Sequence, residues 1–309
     1  MPRLIALIAF AAVALYAVAA AAAGPLVDTA WLKANLEKPG LVVLDVRSRL
    51  DGHGEADFQR AHIPGAVYSD YLKAGWRVTD KNGTVGMLAP VDSLEKLIGR
   101  LGIGNDSHVV VVPAGRTALD VGSATRVYWT FKVLGHDSVS LLDGGMAAWT
   151  ADPANPVESG AVVPQPKTFQ AAFRPEMIAR KADVQQAMAD GVATVDNRPH
   201  SQHMGVTRHP KAARAGTIPG SKNLPENWLT RGGGGTFRSA EQLGKLYAAV
   251  GLSPDDDHIT YCNTAHWASL GWFASSEILG NKSVRMYDGS MVEWSGDDTL
   301  EIEQKISLE

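Results

Sequence analysis

The sequence predicts an α/β fold with two domains, each a mainly parallel β-sheet covered by helices on both faces. The 309 residues exceed a typical single domain of roughly 100–200 residues. Short apolar runs typical of buried strands alternate with helical patterns. The same series of elements and turn motifs occurs twice along the chain, which indicates an internal duplication.

Residues 1–23 have the pattern of a signal peptide. Arg3 supplies a positive charge, residues 4–18 are almost wholly apolar, and three alanines precede Gly24. An uncleaved anchor is the alternative, because the apolar run is about as long as the roughly 20 residues that span a bilayer. Cleavage is favoured since the run ends in alanine and no cationic stop follows. We therefore expect an exported, bacterial periplasmic protein, which contacts a membrane only if the segment stays uncleaved.

Composition and charge narrow the partners. With 45% hydrophobic residues the chain can bury a core in each domain, and its net charge of −4 without any basic tract argues against nucleic acid binding. Cys262 is the only cysteine. Because exported proteins normally pair their cysteines, a single thiol is either buried and inert or free and reactive.

The repeated unit begins with a buried strand that ends in Asp-x-Arg, at residues 41–47 and again at 192–198. An Ile-Pro-Gly turn follows each strand, at 63–65 and 218–220. Next comes a predicted helix that ends in glycine, and its start carries residues at capping-box spacing. The helices are 93–102 and 240–251, and the capping pairs are Asp92 with Glu95 and Ser239 with Gln242.

The unit ends with a strand, a long amphipathic helix and an Asp-Gly-x-Met-x-x-Trp motif. The strands are 109–112 and 259–261, the helices close at 134–135 and 279–280, and the motifs are 143–149 and 288–294. The aspartates of these strand ends are interpreted as turn-fixing carboxylates.

The predicted domains are 24–151 and 167–309, joined by a linker at 152–166 that contains four prolines. When the two halves are aligned on the glycines that end their helices, Pro113 lies opposite Cys262. The first domain therefore has no cysteine at the equivalent turn and is expected to be inactive.

Cys262 lies where a strand pattern stops and a helical pattern begins. Such a turn directs backbone N–H groups, and the positive end of a helix, at whatever group lies in it. These effects lower a thiol pKa from its usual value of about 8.5, so we expect the thiolate to predominate at neutral pH.

In this order the motifs resemble the tandem-domain rhodaneses, the thiosulfate and 3-mercaptopyruvate sulfurtransferases. The resemblance extends from about residue 27 to residue 294 and rests on 44–47, 62–66, both Asp-Gly-x-Met-x-x-Trp endings, and Cys262 in a loop of about six residues. It implies two rhodanese-like domains, the active cysteine belonging to the second.

The resemblance implies a transferase that moves sulfane sulfur from a small anionic donor to a thiol or cyanide acceptor through a Cys262 persulfide. Thiosulfate is the first donor expected and 3-mercaptopyruvate the second. No metal or organic cofactor is required. An alternative of a different class is a noncatalytic protein that binds or delivers sulfur.

The departures from the family pattern concern the donor site. Gln202-His203 stands where Arg-Phe is expected, and Thr217 stands where His usually precedes Ile-Pro-Gly. The residues after the cysteine are neither basic, as is typical of thiosulfate enzymes, nor small, as is typical of mercaptopyruvate enzymes. This loop is Asn263, Thr264, Ala265, His266 and Trp267.

These loop residues are the candidate donor-binding residues. Asn263 and Thr264 either bind the donor anion or cap the following helix. His266 supplies a proton or a positive charge at the pocket rim, or else faces solvent at the helix start. Trp267 is interpreted mainly as packing. At Ala265, where glycine is common in such loops, a positive φ would strain the backbone.

Two arginines are candidates for the positive potential that an anionic donor needs, namely Arg198 and Arg214, which we place near the pocket mouth. Two rival sites are less favoured. His200, His203 and His209 crowd one loop but lack an established metal-ligand spacing. A cysteine phosphatase would need an arginine six positions after Cys262, where Ala268 stands.

Overall fold

Two five-stranded parallel sheets form the centres of the two domains. The computed structural model describes residues 23–253 and 255–308. The strands of the first domain are β1 Leu26–Val27, β2 Leu41–Asp45, β3 Val67–Tyr68, β4 Arg77–Thr79, β5 Val85–Leu88, β6 His108–Val112 and β7 Val139–Leu142. The strands of the second are β8 Ile178–Ala179, β9 Ala193–Asp196, β10 Lys222–Asn223, β11 His258–Tyr261 and β12 Arg285–Tyr287.

The strand order is the same in both sheets, β3-β2-β6-β7-β1 in the first and β10-β9-β11-β12-β8 in the second. Every neighbouring pair in these sheets is parallel. The central strands β6 and β11 consist mostly of buried apolar and β-branched residues, as is typical of strands covered on both faces. The predicted α/β class and duplication are therefore confirmed.

The helices of the first domain are α1 Thr29–Asn35, α2 Glu55–Arg60, α3 Val91–Arg100, α4 Ala118–Val133 and α5 Gly145–Ala151. Those of the second are α6 Lys181–Asp190, α7 His200–His203, α8 Ala240–Ala249, α9 His266–Phe273 and α10 Ser290–Ser295. They lie on both sides of the sheets, and the helix that follows the central strand of each domain, α4 or α9, packs against its counterpart.

Of the two predicted capping boxes, the structure confirms one and contradicts the other. Ser239 and Gln242 form the predicted capping box of α8. Helix α3 instead begins at Val91 after Pro90, and the Glu95 carboxylate accepts the N–H of Ala171 in the interdomain connection at 2.8 Å. The first predicted capping box is therefore wrong, because a tertiary contact engages its acidic member.

The helix after Cys262 reaches the predicted end but is not α-helical throughout. Helix α9 ends at Phe273, and a π-helical turn at Ala274–Ile278 continues the chain. The predicted signal segment falls almost wholly on residues 1–22, which lie outside the described part of the chain. Within the described ranges, no helix combines the length and apolarity of a membrane span. The linker limits 152–166 stay a prediction.

Small residues let α4 and α9 approach closely at the domain interface. A Cβ atom on Gly122 would lie 2.7 Å from Nε2 of His266. One turn further on, the hydroxyls of Thr125 and Ser269 are 2.8 Å apart. Because α4 is buried along nearly its whole length, this contact joins the two domain cores.

Each domain also extends an arm over the other. In the first domain the arm is the antiparallel hairpin β4–β5, and the Leu88 N–H at its end donates to Asp288 of the second domain at 2.7 Å. In the second domain the arm is the segment 230–237, closed by a bridge between Thr230 and Phe237. The Phe237 N–H donates to Asp143 at 2.9 Å, so the exchange is reciprocal.

We expect Gly122→Ala to destabilise the protein by about 1–3 kcal/mol, because the added methyl meets an imidazole that cannot move away without losing a hydrogen bond. Urea unfolding measures the change. Gly244→Ala is the matched control, because a Cβ there meets nothing within 4 Å. This substitution also replaces a glycine inside α8 and should not destabilise the protein. Equal stability of Gly122→Ala and wild type would contradict this interface.

Candidate active site

The Cys262 loop is anchored by the start of α10. The N–H groups of Met291 and Val292 each donate at 3.0 Å, to the carbonyls of Cys262 and Asn263 respectively. The first domain repeats this arrangement at 2.9 Å, with Met146 bonded to Pro113 and Ala147 bonded to Ala114. The structure therefore places Pro113 opposite Cys262, as the alignment of the two halves predicts.

The Ser290 hydroxyl fastens the loop from inside. It accepts the N–H groups of Cys262 at 3.1 Å and Ala265 at 3.2 Å, and it donates to the Tyr287 carbonyl at 2.8 Å. Ser290 was not predicted as a site residue. A comparison of the two repeats could have identified it, because the corresponding residue of the inactive half is Gly145, which has no side chain.

Ala265 has a left-handed backbone, with φ 54° and ψ 13°. An L-residue other than glycine loses roughly 1–2 kcal/mol in this region, so the loop is strained at this point. The Ala265 N–H is bonded to Ser290 and is unavailable to a donor anion. The predicted contribution of Ala265 to donor binding is therefore corrected to a structural one.

The thiol of Cys262 is fully buried. Burial raises its pKa, and the backbone N–H groups of Ala268, Thr264, Trp267 and Asn263 oppose that effect without cancelling it. These N–H groups act on the sulfur in the predicted direction. The expected lowering of the pKa is wrong, because the cost of desolvating a thiolate exceeds what these groups recover.

A cavity of about 270 Å³ lies above Cys262 and between the domains. The second domain lines it with loop residues and one histidine, listed as Cys262, Asn263, Thr264, His266, Trp267 and His209. The first domain contributes Leu50, Arg77, Val85, Gly86 and Leu119, none of which was predicted as a site residue. The size is close to the lower end of the range for small-molecule sites.

His266 lines the cavity and is hydrogen-bonded to the first domain as a neutral imidazole. Its Nε2 lies 2.8 Å from the Leu119 carbonyl, which can only accept, so Nε2 carries the hydrogen. Nδ1 then accepts the Tyr71 hydroxyl at 2.8 Å. Burial, reinforced by the positive charge of Arg77, lowers the His266 pKa to about 3. The prediction of a positive charge or proton donor here is therefore wrong at neutral pH.

Asn263 is held by the residue that departs from the family pattern. Its Nδ2 donates to Oε1 of Gln202 at 2.8 Å. Oδ1 of Asn263 and the indole N–H of Trp267 are buried and have no hydrogen-bond partner within the described residues. Thr264 packs against Gly86, where a Cβ atom would lie 2.9 Å from its own. All three side chains thus belong to the cavity wall.

The two predicted mouth cations lie elsewhere. Arg198 is buried and pairs through two nitrogens with Asp196, at 2.8 and 2.6 Å. Arg214 donates to the carbonyls of Ser295 at the end of α10 and of Asp297 and Leu300 after it. Both arginines fix loops of the second domain. Their placement at the mouth is therefore corrected.

The three histidines of the other candidate cluster serve different partners. His203 is 3.0 Å from Asp196, His200 is 2.9 Å from Asn223, and His209 faces the cavity. Across residues 23–253 and 255–308, no three metal-ligating side chains are grouped closely enough to hold an ion.

A carboxylate occupies the equivalent cradle of the inactive domain. Asp120 accepts the N–H groups of Gly115 at 2.7 Å, Arg116 at 3.0 Å and Thr117 at 2.8 Å. The first domain thus fills its own anion site with a fixed side chain. The second domain keeps its N–H groups for the sulfur of Cys262.

Comparison with known proteins shows the family to which both domains belong. The model of the rhodanese-like domain matches residues 28–152 and again residues 181–297. The chain is 33% identical over 281 residues to the sulfur carrier protein TtuD of Thermus thermophilus, covering 87% of this chain and 93% of that protein. It is 32% identical over 277 residues to a Mycolicibacterium smegmatis protein named provisionally as a thiosulfate sulfurtransferase, covering 87% and 94%.

Two solved structures share the fold. The 3-mercaptopyruvate sulfurtransferase SseA of Escherichia coli has a TM-score of 0.74 and 27% identity, covering 87% of this chain and 99% of that one. An EanB variant in complex with ergothioneine has a TM-score of 0.78 and 22% identity, covering 92% and 70%, and this likeness shows the fold alone.

The buried thiol predicts a specific pH dependence. Because the thiolate is the nucleophile and the pKa of Cys262 is raised, its reaction rate should increase about tenfold per pH unit from pH 7 to 8, without levelling. Alkylation by iodoacetamide, followed by intact-mass spectrometry, measures this rate. A plateau below pH 8 would show a lowered pKa and contradict the effect of burial.

Proposed function

The chain belongs to the rhodanese family, and on that basis we propose that it is a sulfurtransferase which carries sulfane sulfur as a persulfide on Cys262. The observation that carries the proposal is the position of the sulfur. Cys262 lines the cavity, and four backbone N–H groups of its loop and of the start of α9 stabilise its thiolate form. No other cysteine is present in the sequence.

In the first half-reaction the Cys262 thiolate attacks the outer sulfur of the donor. With thiosulfate, the new bond joins the two sulfurs, the old S–S bond breaks, and sulfite leaves with the electron pair. The proton of the thiol is released to water beforehand. The N–H groups that stabilise the thiolate then stabilise the anionic persulfide. Cys262 therefore carries one negative charge both before and after the step.

In the second half-reaction a nucleophilic acceptor attacks the outer sulfur of the persulfide. A thiol or cyanide takes this sulfur, and Cys262 leaves as a thiolate. No electrons are exchanged with an outside oxidant in either half-reaction. The chain's own residues supply the nucleophile and the hydrogen-bond donors that both steps need.

Thiosulfate is the first donor proposed, and the provisional name of the mycobacterial relative supports it. 3-Mercaptopyruvate is the second, supported by the likeness to SseA. A noncatalytic sulfur carrier is the alternative of a different class, and the likeness to TtuD favours it. Steady-state turnover separates the two classes, since a carrier forms the persulfide but releases sulfur slowly to small acceptors.

For localisation, we propose that residues 1–23 are removed and that the mature protein is periplasmic, on the strength of the amino-terminal pattern. Amino-terminal sequencing of the protein from a periplasmic fraction should begin at Gly24. An uncleaved chain in the membrane fraction would support the anchor instead.

The expected result for Cys262→Ser is the loss of both steps, because serine is a far weaker nucleophile towards sulfane sulfur. Wild type incubated with thiosulfate should gain one sulfur, about 32 Da, which disappears on reduction. Sulfite release with cyanide as acceptor measures turnover. Pro113→Ala, at the equivalent turn of the inactive domain, is the matched control and should keep both properties.

Two results would argue against the enzyme. If wild type and Cys262→Ser released sulfite from thiosulfate equally slowly, and likewise pyruvate from 3-mercaptopyruvate, sulfurtransferase activity would be excluded. If wild type showed no added sulfur with any donor, the persulfide itself would be excluded. A persulfide that forms without turnover would favour the carrier.

A further inference from the structure

The cavity above Cys262 contains a guanidinium without a carboxylate partner. The side chain of Arg77 lines the cavity, and within the described residues it forms no ion pair. Arg126 nearby is buried and neutralised by Asp288 at 2.5 Å. His266 is neutral, and burial lowers the pKa of His209. Arg77 is therefore the positive charge that the described cavity lining offers to an anion.

Contacts with both domains hold Arg77 in place. Its guanidinium carbon lies 4.4 Å from the centre of the Tyr71 ring, within the range of a cation–π interaction. Tyr71 is itself fixed by its hydrogen bond to His266. The hairpin that carries Arg77 is tied to the second domain through Leu88 and Asp288. The cation is thus oriented by groups from both domains.

The two reciprocal arms differ at the position of Arg77. Arg77 pairs with Leu88 across the hairpin of the first domain, and Thr230 pairs with Phe237 in the arm of the second. Leu88 and Phe237 correspond, because each donates its N–H to the Asp of the other domain's Asp-Gly motif. At the position opposite these two residues, the arm over the cysteine loop therefore has Arg77 and the arm over the inactive loop has the neutral Thr230. The neighbouring Arg231 donates to the Phe237 carbonyl within its own arm.

The surroundings make this charge effective. Leu50, Val85 and Leu119 form apolar walls beside Arg77. An ionic interaction is less screened in such a setting than at an open surface. The second domain does not supply a cation of its own here, since Gln202 occupies the place of the expected family arginine and Arg198 is paired with Asp196.

We infer that Arg77 of the first domain binds the anionic group of the sulfur donor above Cys262. The donor site is then shared between the domains, the nucleophile coming from one and the charge recognition from the other. This inference rests on the proposed function for the identity of the donor. The role of Arg77 as an anion-binding residue can also be tested without sulfur transfer.

A pair of alkylating reagents tests the charge directly. Iodoacetate and iodoacetamide both react with the Cys262 thiolate, but only iodoacetate is an anion. In Arg77→Met, the rate with iodoacetate relative to iodoacetamide should fall about tenfold, because an attraction for the anion is lost. Arg77→Lys should recover most of the ratio. Lys81→Met removes a charge from the exposed turn of the same hairpin and should leave it unchanged.

Sulfur transfer provides the second measurement. In Arg77→Met, the KM for thiosulfate should rise about tenfold or more, whereas the rate at which a preformed persulfide passes to cyanide at saturation should change little. An unchanged reagent ratio and an unchanged KM in Arg77→Met would overturn the inference. A changed reagent ratio in a protein whose wild type forms no persulfide would instead uphold Arg77 and reject the proposed function.

Discussion

The close crossing of α4 and α9 is the constraint on which the rest of the structure depends. Gly122 leaves room for the His266 ring, and the ring in turn reaches the Leu119 carbonyl. The first turn of the helix that follows Cys262 is thereby fixed to the other domain. Because Leu119 and Tyr71 are both bound by this one imidazole, two residues of the first domain are tied to the helix that follows the cysteine loop.

The duplication has been retained as a scaffold and changed at a few positions of chemical importance. Both loops are anchored through the same pair of backbone hydrogen bonds, and both domains exchange an arm. The two domains differ in the group that the backbone N–H groups of the equivalent loops stabilise. A buried carboxylate, Asp120, satisfies them in the first domain, and the sulfur of Cys262 takes that place in the second. One domain is stabilised where the other is reactive.

Repeat comparison predicted the parts of the structure that depend on pattern, namely the parallel sheets and the position of Pro113 opposite Cys262. Interactions that arise from the packing of distant segments could not be read in this way. An Asp-x-Arg pattern does not reveal that Arg198 turns back onto Asp196. Arg77 is far from Cys262 in sequence, and only the folding of the hairpin brings it to the cavity that Cys262 also lines. The raised thiol pKa could not be predicted, because a loop pattern reveals the N–H groups but not the extent of burial.

The complete burial of Cys262 limits the size of its reaction partners. Two copies of the chain cannot bring their thiols together on folded surfaces, so an intermolecular disulfide is sterically blocked even where the surroundings are oxidising. A small anion can enter the cavity, whereas a protein that accepts sulfur would have to present its thiol on a slender, extended segment. The burial of the sulfur thus restricts the shape of an acceptor, whatever the chemical nature of its nucleophile.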